Sequence, residues 1–243
     1  DMIDWMYVRQ RIFSFTVEMY PRGGNSPKHH YPPDEIIKRE TRRNREAVLY
    51  LMKKASCPYA ALGAAEAKMG CGPFFDDLEI HRGWKVDPRG TDSATDGAWQ
   101  RGDPRPDKLQ LGSALSGRSV LVTGRTAGHD VDGGVTTVRS PVFKLPAGAR
   151  STLKLRYWVG HSASAGPDDG FKVYLVDTQG NRLTRLLEVA GSGQKRRPSW
   201  KKLSRAIPRS LRGQKVAIEL VAADKGAGAT IEAGVDQVRV YVG

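Results

Sequence analysis

Apolar and polar residues tend to alternate with a period of two in several short segments of the second half of the chain. β-branched and aromatic residues are frequent in these segments, which predicts strands with one face buried. Gly, Pro and Asp separate them, and helical spacing is almost absent. The segments are 119–123, 151–159, 171–176, 215–222 and 237–242. The pattern predicts an all-β, jelly-roll-like sandwich over residues 74–243.

The first sixty residues show two different periods. Apolar residues alternate with polar ones from Ile12 to Tyr20, which predicts a strand with Glu18 on the face opposite the phenylalanines. Helical spacing follows, and it predicts a helix that ends near Ser56, before Pro58. Residues 60–73 are rich in small residues and are interpreted as a linker. We therefore expect one domain in 1–59, the linker in 60–73 and a second domain in 74–243.

A set of motifs in residues 1–59 resembles the end of the catalytic domain of zinc carboxypeptidases of the carboxypeptidase A and T type. The motifs are, in order, Ile3-Asp4-Trp5, Tyr7, Phe15-Thr16-Val17-Glu18, Tyr31-Pro32-Pro33 and a helix that ends at Cys57-Pro58-Tyr59. The resemblance implies an α/β fragment, the final strand and helix of that domain. It also implies that Glu18 is the general base, and that Ile3 and Thr16 line the pocket for a hydrophobic C-terminal side chain of a peptide or protein substrate. Without the resemblance, Glu18 is more simply a solvated side chain.

The zinc ligands of that family precede the part that this chain resembles. They are a His-x-x-Glu pair and a later histidine, and the five histidines here contain no such pair. The resemblance therefore places the zinc ligands upstream of this chain. We expect the chain by itself to be inactive as a peptidase.

The β-rich part resembles a C-terminal module of secreted bacterial peptidases. The resemblance rests on Gly83-Trp84 and on the segments 92–104, 121–124, 130–134 and 235–240. It implies a secreted protein, and its acidic positions suggest a calcium site, because Ca²⁺ prefers oxygen ligands. The candidate ligands are Asp77, Glu79, Asp130, Asp132 and Asp236. The alternative is that the Asp-Val-Asp-Gly-Gly sequence at 130–134 is a turn in which Asp side chains accept hydrogen bonds from backbone amides.

The charge balance adds a class of partner. The formal net charge is +13 and the pI is about 9.9, and a basic segment surrounds Trp200 at 195–202. An anionic cell-surface polymer would suit such a surface, whereas nucleic-acid binding does not follow from charge alone. A solvated hairpin loop is the alternative for the basic segment. No apolar run is long enough to span a membrane.

The two cysteines, Cys57 and Cys71, flank a short Ala/Gly-rich segment. They could form a disulfide in an oxidising compartment or remain as buried thiols. The leading hypothesis at this level is the C-terminal portion of a secreted zinc carboxypeptidase. The alternative is a non-catalytic, calcium-stabilised adhesion or carbohydrate-binding β-sandwich protein.

Overall fold

The computed structural model describes residues 2–10, 14–16, 35, 37–55, 57–58, 63, 71–226 and 228–243. Contacts between residues divide the chain into two compact units, Asp1–Cys71 and Gly72–Gly243. Each unit is described by itself below.

The described part of the first unit is helical. Helix α1 spans Met2–Gln10 and helix α2 spans Ile37–Ala55. In α2 the carboxylate of Glu40 is buried, and it contacts Arg43 Nη2 at 2.6 Å and Arg39 Nε at 2.9 Å. The predicted helix is confirmed, because α2 ends one residue before Ser56.

The strand predicted from Ile12 to Tyr20 is not present at residues 14–16, which belong to neither a helix nor a strand. A strand needs a neighbour that pairs its backbone groups, and the described residues of this unit include no other strand. Glu18 lies outside the described residues. The α/β carboxypeptidase fragment is therefore not evident in the part of the first unit that the structure describes.

A disulfide joins Cys57 to Cys71, with 5.4 Å between the two Cα atoms. The structure thus selects the bridged alternative over buried thiols. The bridge closes a loop with a sequence separation of 14 residues, and it lies wholly within the first unit. It follows Ala55, the last residue of α2, by two positions.

Replacing Cys57 and Cys71 together with serine will destabilise the first unit by about 3 kcal/mol, the entropy expected from opening a loop of this length. The second unit will keep its stability, because the bridge does not reach it. Amide hydrogen exchange of the full chain measures both effects: the amides of α2 will exchange faster, and those of residues 215–224 at an unchanged rate. Unchanged exchange in α2 would contradict a stabilising bridge.

The second unit is a two-sheet β-sandwich. Its described residues form twelve strands: β1 (Phe74–Asp76), β2 (Lys85–Val86), β3 (Trp99–Gly102), β4 (Val120–Thr123), β5 (Gly134–Arg139), β6 (Phe143–Lys144), β7 (Ser151–His161), β8 (Gly170–Val176), β9 (Arg182–Ala190), β10 (Lys201–Ala206), β11 (Lys215–Asp224) and β12 (Ile231–Val242). The first sheet has the order β10-β7-β12-β4-β3, and β1 also pairs with β12. The second has the order β2-β5-β11-β8-β9, and β6 also pairs with β11. The predicted all-β sandwich is confirmed.

Alternating side chains form the core between the sheets. In β8 the side chains of Phe171, Val173 and Leu175 are fully buried, whereas Lys172 and Tyr174 point to the opposite face. In β7 Leu153 and Leu155 enter the same core cluster. Facing sheets of this kind bury the apolar side of each strand and leave the other side for polar residues.

One glycine is required by a close approach of two chain segments. Gly124, at the end of β4, has a φ of +54°, and a Cβ there would lie 1.4 Å from the carbonyl oxygen of His129. The turn between β4 and β5 therefore closes only with glycine at this position.

Candidate functional site

A groove crosses the outer face of the second sheet. Its floor consists of small residues on β5 and β11, namely Val135, Val221 and Ala223. Long polar side chains form its walls, and it encloses about 90 Å³. The wall residues are Asp168, Lys172, Tyr174, Arg182 and Lys225. We call this feature the sheet-2 groove.

A row of residues in register runs across the same face. Arg139 of β5 lies opposite Glu219 of β11, and Glu219 lies opposite Tyr174 of β8. Glu219 is fully buried, and it is a charged residue in a strand that is otherwise almost entirely apolar. A buried carboxylate requires charged or hydrogen-bonding partners.

Three arginines supply those partners. Glu219 Oε2 lies 2.7 Å from Arg139 Nη2 and 3.4 Å from Arg89 Nη2, and Glu219 Oε1 lies 2.9 Å from Arg182 Nε. We call these four residues the arginine cluster. One carboxylate balances one of the three guanidinium groups, so the cluster carries a net charge of +2. The Nε of Arg139 is buried and has no hydrogen-bond partner in the described part of the chain.

A tight turn between β8 and β9 covers the arginine cluster. Asp177 accepts hydrogen bonds from the side-chain amide of Asn181 and from the backbone amides of Gln179 and Asn181. The bond from the Asn181 side chain lowers the pKa of the Asp177 carboxyl most, and the backbone bonds lower it further. Gly180 in this turn has a φ of +93°, and its carbonyl oxygen accepts a hydrogen bond from Arg89. A Cβ at this position would lie 2.6 to 2.9 Å from the guanidinium group of Arg139. The turn is thus fitted to the arginines beneath it.

The groove continues into a wider depression beside this turn. The depression encloses about 480 Å³ and is lined by Arg89, Arg182 and residues 179–181. Arg182 lines both cavities, and its Cζ lies 4.3 Å from the centroid of the Tyr174 ring. The guanidinium group and the ring together present a flat, cationic surface where the two cavities meet.

Two of the three sequence-predicted peptidase residues lie in the described part of the first unit. Ile3 lies in α1, partly buried, and its carbonyl oxygen accepts a hydrogen bond from Ser14. Thr16 is exposed and lies outside regular structure. Glu18 lies outside the described residues, so its role as general base stays a prediction.

Three calcium candidates lie near the loop before β4 or near the start of the second unit. Asp77 and Glu79 follow β1, and Asp236 lies in β12. Glu79 Oε1 accepts hydrogen bonds from the amides of Arg118 and Ser119, and Asp236 Oδ2 accepts them from Leu115 and Ser116. Asp77 accepts one from the amide of Glu79. Burial raises the pKa of Asp236 to about 6, even though these amides oppose the shift.

The other two calcium candidates lie elsewhere. Asp130 Oδ2 accepts a hydrogen bond from the amide of Ile231, at the start of β12, whereas Asp236 is five residues further along that strand, about 17 Å away. Asp132 is exposed, and its backbone forms an isolated antiparallel β-bridge with that of Asp96. The described residues contain no group of three or more His, Cys, Asp or Glu side chains arranged to hold a metal ion. The calcium site stays a prediction.

Further acidic residues surround Asp130. Burial raises the pKa of Asp130, and the carboxylate of Asp132 raises it further. Burial, followed by the charge of Asp169, raises the pKa of Asp224 to about 6. Burial also raises the pKa of Glu232 to about 9. The carboxyl groups of Asp130, Asp224 and Glu232 therefore bind protons more tightly than free carboxylates do.

The basic segment around Trp200 is only partly a free surface. Trp200 packs against the small cluster formed by Val120, Val122 and Trp158. Arg196 Nε donates to His161 Nε2 at 3.3 Å. Lys202, by contrast, is exposed. The ring of Trp200 thus contributes to packing on the outer side of the first sheet.

Comparisons with known proteins found only distant structural similarity. No family model matches the chain, and no curated protein matches it. Among solved structures, a cleaved adhesin domain of Lys-gingipain from Porphyromonas gingivalis is 18% identical, with a TM-score of 0.45 over 70% of this chain and 97% of that one. A carbohydrate-binding module from Caldicellulosiruptor saccharolyticus in complex with mannohexaose is 12% identical, with a TM-score of 0.45 over 71% and 97%. A cyclase from Fischerella sp. TAU in complex with an indolyl butanone is 18% identical, with a TM-score of 0.41 over 70% and 88%.

These similarities are too distant to transfer a site or an activity to this chain. They provide no support for the carboxypeptidase resemblance. No helix in the described part of the chain has the length and apolar character needed to cross a membrane.

Proposed function

We propose that the second unit is a non-catalytic carbohydrate-binding or adhesion module that holds a sugar chain along the sheet-2 groove. The observation that carries this proposal is the flat surface formed by Tyr174 and Arg182 beside a floor of small residues. Binding sites for small ligands are concave surfaces with a few fixed polar groups. A sugar ring presents an apolar face to such a platform and hydroxyl groups to its polar rim.

The groove has polar partners for those hydroxyl groups. Lys172 and Lys225 donate hydrogen bonds, and Asp168 accepts them. Lys172 is held in place by Glu188, whose Oε1 lies 3.1 Å from its Nζ. The net charge of the arginine cluster favours a sugar that carries a carboxylate or sulfate group beside Arg89.

The disulfide supports an extracellular location for this module, because such bonds persist in oxidising compartments. The sheet-2 groove is the feature of the described residues that supports a binding function.

Binding of short oligosaccharides by the full chain tests the proposal. In calorimetric titrations against a panel of neutral and uronate-containing hexasaccharides, at least one will bind with a Kd below about 1 mM. Tyr174→Ala will weaken that binding about tenfold or more, as expected when a central aromatic contact is removed.

Tyr50→Ala is the matched control. Tyr50 also has a cation over its ring, with Lys54 Nζ 5.6 Å from the centroid, but it lies in α2 of the first unit. The control will leave hexasaccharide binding within about twofold of the original. Equal losses in the two variants, or no binding by any hexasaccharide, would contradict the proposal.

A further inference from the structure

The outer face of the first sheet carries cations in register. On β7, Lys154 and Arg156 point away from the core, since Leu153 and Leu155 point into it. Arg156 lies directly opposite Lys202 of β10. Lys154 lies directly opposite Arg239 of β12. We call these four residues the basic face.

Like charges directly opposite each other weaken a sheet. Asp236 of β12 lies opposite Arg156, but its carboxylate accepts hydrogen bonds from the amides of Leu115 and Ser116. No ion pair joins a carboxylate to Lys154, Arg156 or Lys202 in the part of the chain that the structure describes. Protection of an edge strand from aggregation would explain a lysine on β10, which is at the edge of this sheet. It does not explain Lys154 and Arg156, because β7 is paired on both sides.

Two of these cations lie over aromatic rings. Lys154 Nζ lies 4.3 Å from the centroid of the Tyr241 ring, and Arg239 Cζ lies 4.0 Å from that of Phe75. Such contacts fix the position of the charge. In each pair the cation covers one face of the ring.

From this arrangement we propose that the basic face binds a linear anionic polysaccharide. Neighbouring strands are about 4.8 Å apart, and alternate residues of one strand are about 7 Å apart. The cations therefore form a grid. Its spacing is close to the distance between successive charges in a polymer that carries one charge on each monomer. Trp200 and two residues of the loop before β4, Leu111 and Ala114, cover the neighbouring part of the sheet. The basic face lies beside this cover. This site is separate from the sheet-2 groove and does not depend on it.

A heparin oligosaccharide of sixteen sugars is the probe, and the full chain is the protein. Affinity will fall with rising salt, since each bound cation releases counterions. The triple variant Lys154→Gln, Arg156→Gln and Lys202→Gln will bind heparin about tenfold or more weakly at 0.15 M salt. For this variant, the slope of log affinity against log salt concentration will be smaller in magnitude by about 2 to 3.

A second triple variant, Arg105→Gln, Lys144→Gln and Lys215→Gln, removes the same charge from other exposed positions. It will bind heparin within about threefold of the original chain. Tyr174→Ala will also leave heparin binding within threefold, which separates this site from the sheet-2 groove. Equal losses in the two triple variants would overturn the proposal. Tighter binding of a 20-base-pair DNA duplex than of heparin, lost in the first triple variant, would also overturn it, since the partner would then be nucleic acid.

Discussion

Glu219→Ala will lower the free energy of unfolding of the second unit by about 3 to 5 kcal/mol, the cost typical of removing one partner from a buried ion pair. Glu219 is fully buried and is the carboxylate that Arg89, Arg139 and Arg182 share. The substitution leaves three guanidinium groups together, of which that of Arg139 is 14% exposed. Urea denaturation of the full chain, followed by tryptophan fluorescence, measures the change.

Glu188→Ala is the matched control for this prediction. Glu188 also contacts two cations, with Lys172 Nζ at 3.1 Å and Arg185 Nη1 at 2.7 Å, but its side chain is 32% exposed. Ion pairs with that exposure contribute at most about 1 kcal/mol. Similar losses in the two variants would show that the arginine cluster does not depend on its buried carboxylate.

Glu232→Gln will stabilise the second unit by about 5 kcal/mol at pH 8 and will remove most of its pH dependence between pH 6.5 and 8.5. Glu232 is 2% exposed, and its Oε2 lies 3.1 Å from Thr123 Oγ1. Burial raises its pKa to about 9, and the hydrogen bond from Thr123 opposes the shift. Glutamine keeps the shape of the neutral side chain and loses no proton.

The direction follows from proton binding. In the folded chain Glu232 keeps its proton up to a pH of about 9, whereas in the unfolded chain it loses the proton near its ordinary pKa of 4.5. Between these values the folded state binds the extra proton, so stability falls as pH rises, by about 1.4 kcal/mol for each pH unit. Asp224 and Asp236 act in the same direction, but only up to their pKa values of about 6.

Urea denaturation at four pH values between 6.5 and 8.5 measures the Glu232 effect. The original chain will lose stability across this range, and Glu232→Gln will not. Glu188→Gln, which changes an exposed carboxylate, will follow the original chain. Parallel curves for the original chain and Glu232→Gln would mean that Glu232 is ionised in the folded state.

Periodicity predicted the long elements of the fold. The five predicted strands coincide with β4, β7, β8, β11 and β12, and the predicted helix coincides with α2. These segments are long enough to show alternation or helical spacing, and tertiary packing reinforces the pattern. Strands such as β2 and β6 have two residues each, which is too short for any period to appear.

The same rule failed at residues 14–16. Alternation of phenylalanine with polar residues describes a side-chain pattern, but a strand also requires a partner for its backbone. The described residues of the first unit include no strand that could pair with this segment. A pattern of this kind therefore predicts a strand only where a sheet is available to receive it.

The proposed binding surfaces could not be predicted from the sequence, because strand register creates them. Arg89, Arg139, Arg182 and Glu219 are spread over 131 positions of the chain and meet through the order β2-β5-β11-β8-β9. A glutamate within the apolar segment 215–222 was the one available signal, since a charge in a buried strand requires partners. On the first sheet, Lys202 belongs to the basic segment noted in the sequence, but its neighbour Arg156 is 46 positions away.

Hydrogen exchange of the full chain, with and without the tightest-binding hexasaccharide of the panel, tests whether the second unit binds a sugar chain in the sheet-2 groove. We expect slower exchange to be confined to the segments that line the groove and its depression, 85–91, 134–139, 168–182 and 221–226. Slower exchange confined to β7, β10 and β12, or to the first unit, would contradict it.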